Sequence, residues 1–101
     1  MTPRFVFRPE ARDELLEAQA WYEQRAAGLG AAFARAVEAA VESLHRAPQQ
    51  YPVVHRNIRR VLLRRFPFAI FYRAGDEEII VLAVFHLARD PARWKSRTRD
   101  G

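Results

Sequence analysis

Apolar positions recur along the chain with two different periods, and the change of period divides it. Phe5, Val6 and Phe7, between Arg4 and Arg8, are bulky β-favouring residues and predict a short first strand. Pro9 ends that strand and suits the first position of a helix, where its missing N–H costs nothing. Ala11, Leu15, Ala18 and Tyr22 then fall on one helical face, widened by Leu16 and Ala20, which predicts a helix from about 9 to 26. Tyr22 and the adjacent Trp21 are read as core-packing residues. Glu10, Asp13 and Glu14 place negative charge in the first turn, where the helix dipole favours it. Together with Glu17 they read as a solvated helix face rather than as paired catalytic carboxylates, and Glu23 falls beside the same face.

Gly28-Leu29-Gly30 breaks the pattern. Leu29, Phe33, Ala36, Val37, Ala40, Val41 and Leu44 resume it at 3.6-residue spacing, the strongest periodic signal in the chain, and Pro48 follows its end. The short connection makes the two helices antiparallel neighbours. Residues 49–57 read as a loop. Beyond it the period shortens, and Ile58 to Phe66, Phe68 to Arg73 and Glu78 to His86 read as three strands. Phe66-Pro67-Phe68 supplies a bend. Ala74-Gly75-Asp76-Glu77 supplies a hairpin turn, with Gly75 free to take a positive φ.

Strands grouped after a helical hairpin predict an α+β domain. The expected architecture is an N-terminal strand, a helical hairpin and a three-stranded antiparallel meander, with the helices on one face of the sheet. The run from Ile79 to Phe85 is almost wholly apolar, which suits a central strand covered on both faces. The hairpin covers one face only. The other face is expected either to expose an apolar groove or to be covered from outside the chain. Residues 1–101 read as a single domain, with 95–101 a frayed basic tail.

Composition narrows the function. A domain of 101 residues has one core and little room for an enclosed cavity. There is no cysteine, which excludes a disulfide framework, a thiolate metal site and a cysteine nucleophile. His45, His55 and His86 show no metal-ligand spacing, so neither metal nor cofactor is expected. No apolar run approaches the about 20 residues that span a membrane, and no signal-peptide pattern opens the sequence, so a cytoplasmic protein is expected. Charge is unevenly placed. Residues 1–50 carry six basic and seven acidic groups, whereas residues 51–101 carry eleven and five. All the basic residues but Lys95 are arginine, the fork-shaped donor suited to carboxylate and phosphate. The asymmetry points to an acidic partner or a nucleic acid.

An ordered set of segments resembles the ParE/RelE toxin superfamily of bacterial type II toxin–antitoxin systems. It comprises Phe-Arg-Pro-Glu-Ala at 7–11, Trp21-Tyr22-Glu23, and Gly28-Leu29-Gly30 with Phe33. It continues with Pro52-Val53-Val54, Arg59-Arg60, the stretch from Leu63 to Arg73, Val81 to His86, Arg89-Asp90-Pro91 and Trp94. The likeness covers about residues 4–95 and is most like the ParE branch. It implies the same strand, helical-hairpin and three-strand order that periodicity predicts. It also implies a cognate antitoxin whose disordered, acidic, amphipathic C-terminal segment folds onto the toxin, giving a hetero-oligomer. Such a segment would cover the open apolar groove and match the basic second half.

Two activities follow from the resemblance. ParE-like members poison DNA gyrase by protein–protein contact and would have no active site of their own. RelE-like members are ribosome-dependent mRNA endoribonucleases. For the second, the resemblance implies His86, Arg73 and Arg89 as catalytic groups, since a proton must leave the attacking hydroxyl and cations must meet the phosphorane-like charge. The chain departs from that pattern, because residues 68–72 carry no cation before Arg73 and no Tyr follows in the C-terminal segment. Gyrase inhibition is therefore the expected function, with DNA met only indirectly through the antitoxin. A toxin fold that has lost toxicity but still holds its antitoxin is a third reading. The expected antitoxin- or target-binding residues are Arg59, Arg60, Arg64, Arg65, Arg73, Arg89, Arg93, Trp94 and Lys95. Arg59, Arg60, Arg64 and Arg65 read as two pairs on one strand, each presenting charge to both faces. Arg93, Lys95, Arg97 and Arg99 make up the basic tail. His86 has the alternative role of a hydrogen-bonded residue closing its strand against Asp90 or a backbone carbonyl.

Overall fold

The helical hairpin is closed by its glycines and one carboxylate. In the computed structural model, which describes residues 3–100 (Arg99 and Asp100 by backbone alone), α1 runs Pro9–Arg25 and α2 Leu29–Arg46. Gly28 takes a φ of 88°, a left-handed conformation that only glycine adopts without strain. The Gly28 and Gly30 N–H groups donate to the Glu23 carboxylate at 3.0 and 2.9 Å, so Glu23 caps the start of α2 from the end of α1. At Gly30 the helices touch. A Cβ there would lie 2.7 Å from the Gln19 carbonyl oxygen.

The hairpin lies on a sheet ordered β1-β5-β4-β3-β2. Its strands are β1 (Arg4–Phe7), β2 (Val53–His55), β3 (Ile58–Leu62), β4 (Phe68–Ala74) and β5 (Glu78–His86). The antiparallel meander of β3, β4 and β5 is as expected. The sheet is nonetheless five-stranded and mixed. β1 joins β5 in parallel, from Arg4 beside Glu78 to Phe7 beside Val81, and the connection between them runs through both helices and the other three strands. Residues 53–55, expected as loop, pair antiparallel with β3 as a short edge strand. The strand expected to reach Phe66 stops at Leu62. Arg65 has a φ of 72°, which no strand accommodates, and the chain reverses there with the Leu63 N–H bonded to the Phe68 carbonyl at 2.9 Å. Gly75 does not use a positive φ. It serves by close approach, since a Cβ there would lie 3.1 Å from the Glu78 carbonyl.

Two layers of core form on the sheet. Phe68, Ile70 and Tyr72 of β4 face the helices with Phe33, Val37 and Leu44, and Ala69 and Phe71 face the other way. In β5, Phe71 stands opposite Ala83 and Tyr72 opposite Val81, so Leu82 is an extra, bulged residue. The bulge turns both Leu82 and Ala83 to the second face. That face is not left for an outside cover. The chain returns through α3 (Ala92–Lys95) and a 3-10 turn (Ser96–Asp100), and Trp94 seals it against Phe71, Phe85 and Ile58. Of the segment 95–101, expected to fray, residues 95–98 are held down, and Gly101 lies outside the described residues. Arg97 donates to the Glu14 carboxylate and to the Leu82 carbonyl, and Thr98 Oγ1 donates to the Lys95 carbonyl. Glu14 is therefore not part of a solvated face, as the sequence pattern suggested, but an inward partner. No helix among the described residues is long and apolar enough to cross a membrane.

Candidate functional site

The β2–β3 edge is where apolar and basic surface coincide. Leu62 is 52 % exposed and Val53 50 %, and on either side of this edge lies a groove rimmed by cations. The first groove, about 460 Å³, runs between α2 and the β3–β4 turn. Its floor is the alanine face of α2, Ala32, Ala36 and Ala39, and its rim carries Arg35, Arg46, Arg64 and Arg65. Small side chains let another backbone come close, and the exposed guanidiniums offer forks to carboxylates. Arg64 and Arg65 sit in the turn and not on the strand, so both join this rim instead of dividing between two faces.

The second groove, about 280 Å³, lies on the opposite face of the sheet beside α3. Arg60, Arg89 and Lys95 rim it, with Val54 and the half-exposed Leu87 as apolar surface. No carboxylate lines either groove among the described residues. The field here is positive enough to act on a neighbour. His55 is pulled below its ordinary pKa of 6.5, first by loss of solvent and then by Lys95 and Arg56.

The residues expected to bind a partner thus divide, with Arg73 on β4, opposite Ile58 and Ile80, lining neither groove. Arg64 and Arg65 belong to the first groove, and Arg60, Arg89 and Lys95 to the second. Arg93 is exposed on α3 nearby, and the Arg99 side chain lies outside the described residues. Arg59 and Trp94 are spent within the chain. The Arg59 guanidinium donates to the Gln49 and Tyr51 carbonyls at 3.1 and 2.6 Å and to Gln49 Oε1 at 2.6 Å, fixing the segment before β2. Trp94 is 3 % exposed and stacks on Phe71 with ring centroids 4.0 Å apart. Trp94 also lines the second groove.

The three candidate catalytic groups are not assembled. His86 stands opposite Phe68 and Arg73 opposite Ile80, which separates them by five residues along β4, roughly 17 Å at strand spacing. His86 Nδ1 accepts the Ala88 N–H at 3.0 Å, a backbone donor rather than the Asp90 or backbone carbonyl that the alternative reading expected. Asp90 instead caps α3 by accepting the Ala92 N–H at 3.0 Å. Arg89 is near His86, but its guanidinium lies over the Phe85 ring at 4.9 Å.

Residues 5–91 match the family model described as the ParE toxin of the type II toxin–antitoxin system parDE. The chain belongs to this family. This ParE-family chain is 29 % identical over 92 residues to Toxin ParE2 of Mycobacterium tuberculosis, in strain CDC 1551 / Oshkosh and in strain H37Rv alike, covering 90 % of the chain and 88 % of the relative. Its fold matches a chain of the chromosomal ParDE toxin–antitoxin system from P. aeruginosa with a TM-score of 0.72 at 19 % identity, over 85 % of this chain and 97 % of that one. In this ParE-family toxin, sequence reading missed Arg35 and Arg46, which complete the rim of the first groove. Their shared helical face with Ala39 was a readable signal. The contribution of Arg56 was not readable, because it depends on the β2–β3 turn bringing it beside His55.

Proposed function

We propose that this chain is a toxin that inhibits DNA gyrase by protein–protein contact in the cytoplasm and is neutralised by an acidic antitoxin. The observation that carries the antitoxin half is the pair of cation-rimmed grooves flanking the exposed Leu62–Val53 edge. An amphipathic acidic segment laid across that edge buries its apolar side chains on Leu62, Val53 and the α2 alanines. Its carboxylates then reach Arg35, Arg46, Arg64 and Arg65 on one side and Arg60, Arg89 and Lys95 on the other. Ordering such a segment loses conformational entropy, which this combination of apolar burial and charge pairing offsets. The similar P. aeruginosa chain comes from a ParDE toxin–antitoxin system, which is in keeping with such a partner.

The gyrase half rests on family membership and is supported by the distance of Arg73 from His86 and Arg89 along the sheet. Purified chain is added to a supercoiling reaction with gyrase, and separately to translating ribosomes with labelled message. Loss of supercoiling or trapped cleaved DNA, with the message intact, is the expected result. Ribosome-dependent cutting of the message would replace this reading with the other. Adding the protein encoded by the adjacent reading frame should restore supercoiling. The double variant R46E/R64E should weaken that rescue by tenfold or more, as about two charge-assisted contacts would.

A further inference from the structure

Trp21, expected in the core, is 50 % exposed on α1. It shares a groove with Glu17 and Arg89 and carries the Arg25 guanidinium 4.2 Å from its ring centroid, so charge selects no partner there. The second groove differs, because charge of one sign stands over an apolar floor. Phe71, Phe85 and Trp94 form that floor. The Arg89 guanidinium lies over the Phe85 ring, the Lys95 ammonium lies 5.9 Å from the centroid of the Trp94 ring, and Arg60 and His86 line the same groove. Arg60 and Lys95 are half-buried, yet the side chains of Arg60, Arg89 and Lys95 enter no ion pair among the described residues. Asp90, in the adjoining turn, gives its carboxylate to the Ala92 N–H. Half-desolvated cations without a counter-charge are a costly arrangement that an incoming anion relieves.

We propose that the second groove receives the C-terminal residue of the antitoxin, with its apolar side chain on Phe71 and Phe85 beside Leu87 and its α-carboxylate among Arg60, Arg89 and Lys95. The inference rests on the antitoxin reading above and adds which part of the acidic segment meets this groove, namely its free end. Size excludes a helix, since a cylinder about 10 Å across fills 280 Å³ in less than one turn. The middle of an extended chain fits poorly for a different reason. Arg60 stands opposite Phe71 in the β3–β4 ladder and Phe85 opposite Ala69 in the β4–β5 ladder, so the backbone beneath the groove is committed to the sheet. A ligand's peptide groups laid on this floor would find no partner there. An internal Asp or Glu brings a peptide group on each side of it, whereas a chain end brings one. The terminal carboxylate is charged at neutral pH and has two oxygens to share between guanidinium forks and an ammonium. A bare phosphate would meet the same cations but leave the apolar floor unused.

The test titrates the full chain with the protein of the adjacent reading frame in three forms: natural, amidated at its C-terminus by intein cleavage, and extended by two glycines. Natural and amidated forms are also titrated against K95Q and R89Q, and against R64Q in the first groove, with far-UV circular dichroism and thermal melts as the folding check. Amidation and extension should each weaken binding to the wild-type chain by about tenfold or more, as the loss of a charge-assisted contact does. K95Q and R89Q should weaken the natural form similarly and bind the amidated form as wild type does, because the group they serve is already gone. R64Q should weaken both forms by the same factor. Natural, amidated and extended forms that bind the wild-type chain alike would overturn the inference and leave the antitoxin reading standing; this arm needs no toxin variant. An amidation effect undiminished in folded K95Q and R89Q would put the chain end elsewhere on the toxin and overturn it as well. A partner that fails to bind the wild-type chain in any form would sink the antitoxin reading together with the inference.

Discussion

Arg97, in the last turn of the chain, donates to both carboxylate oxygens of Glu14 in the first helix, at 3.1 and 2.8 Å. The pair also finishes a strand ladder. β1 stops with the Arg8 N–H on the Val81 carbonyl at 2.9 Å. Further along the same edge of β5, Arg97 satisfies the Leu82 carbonyl at 2.9 Å and Glu14 accepts the Val84 N–H at 3.1 Å. Two side chains thus stand in for the strand that is missing there, and the same contacts tie the C-terminal segment to the fold.

Arg97→Ala removes the cation and leaves Glu14, whose side chain is only 10 % exposed, without its partner. The expected loss is about 2–3 kcal/mol, somewhat below that for a fully buried pair because Arg97 retains some solvent. Replacing both by leucine should cost less than the sum of the two single changes, since no lone charge remains. Urea unfolding of wild type, the two single leucine variants and the double variant gives the coupling. An Arg97→Ala loss below about 0.5 kcal/mol would show that the bidentate contact has no energetic weight.

Trp94 bears on a different question, namely what covers the second face of the sheet. Truncating a buried Trp to Ala costs about 3–5 kcal/mol, a large share of the 5–15 kcal/mol a domain has. Trp94→Ala should therefore leave the chain barely folded and binding a hydrophobic dye through Phe71, Phe85 and Leu82. Trp94→Phe should keep the fold at a cost of about 1–2 kcal/mol. An unaltered melting temperature for Trp94→Ala would mean that the face is covered by something else.

The same residue shows where the sequence stopped being readable. The continuous apolar run of β5 announced a strand buried on both sides, and the structure agrees. What covers it was not announced, because a lone Trp on a four-residue helix carries no period. The hairpin was legible for the opposite reason, since α2 repeats its apolar face over four turns. Edge strand β2 escaped because three residues cannot establish an alternation, and Pro52 before it reads as loop. Arg59 and Arg60 look alike in sequence. One is consumed by the carbonyls of Gln49 and Tyr51 and the other faces a groove, a distinction set by strand alternation and by a loop whose path no local pattern predicts.

Gly30 offers a case where two principles oppose each other. Helix propensity favours Ala over Gly by about 1 kcal/mol within a helix. Against this, a Cβ at Gly30 meets the Gln19 carbonyl at 2.7 Å and the Glu23 side chain at 3.0 Å. Neither backbone carbonyl nor capping carboxylate moves without loosening the hairpin. Packing strain of about 1–3 kcal/mol outweighs the propensity gain. Gly30→Ala should be destabilised by about 1 kcal/mol net in chemical denaturation, with the Gly28 amide losing protection in hydrogen exchange. A stabilised variant would show that the two helices part freely.

His55 reports on the second groove without touching a partner. Its ring stands edge-on to Trp94 at 5.8 Å, and desolvation, Lys95 and Arg56 hold its pKa below 6.5. A depressed histidine pKa means that the unfolded chain binds the proton more readily than the folded one. His55 thus adds stability at and above neutral pH, and that stability is lost as pH falls from about 6.5 through the folded-state value. Lys95→Gln should raise the His55 pKa part of the way in an NMR titration, since desolvation remains. A carboxylate-rich partner occupying the groove opposes the field of Lys95 and Arg56 and should raise it further. His55 imidazole shifts that titrate identically with and without the bound antitoxin would place the acidic segment elsewhere on the toxin.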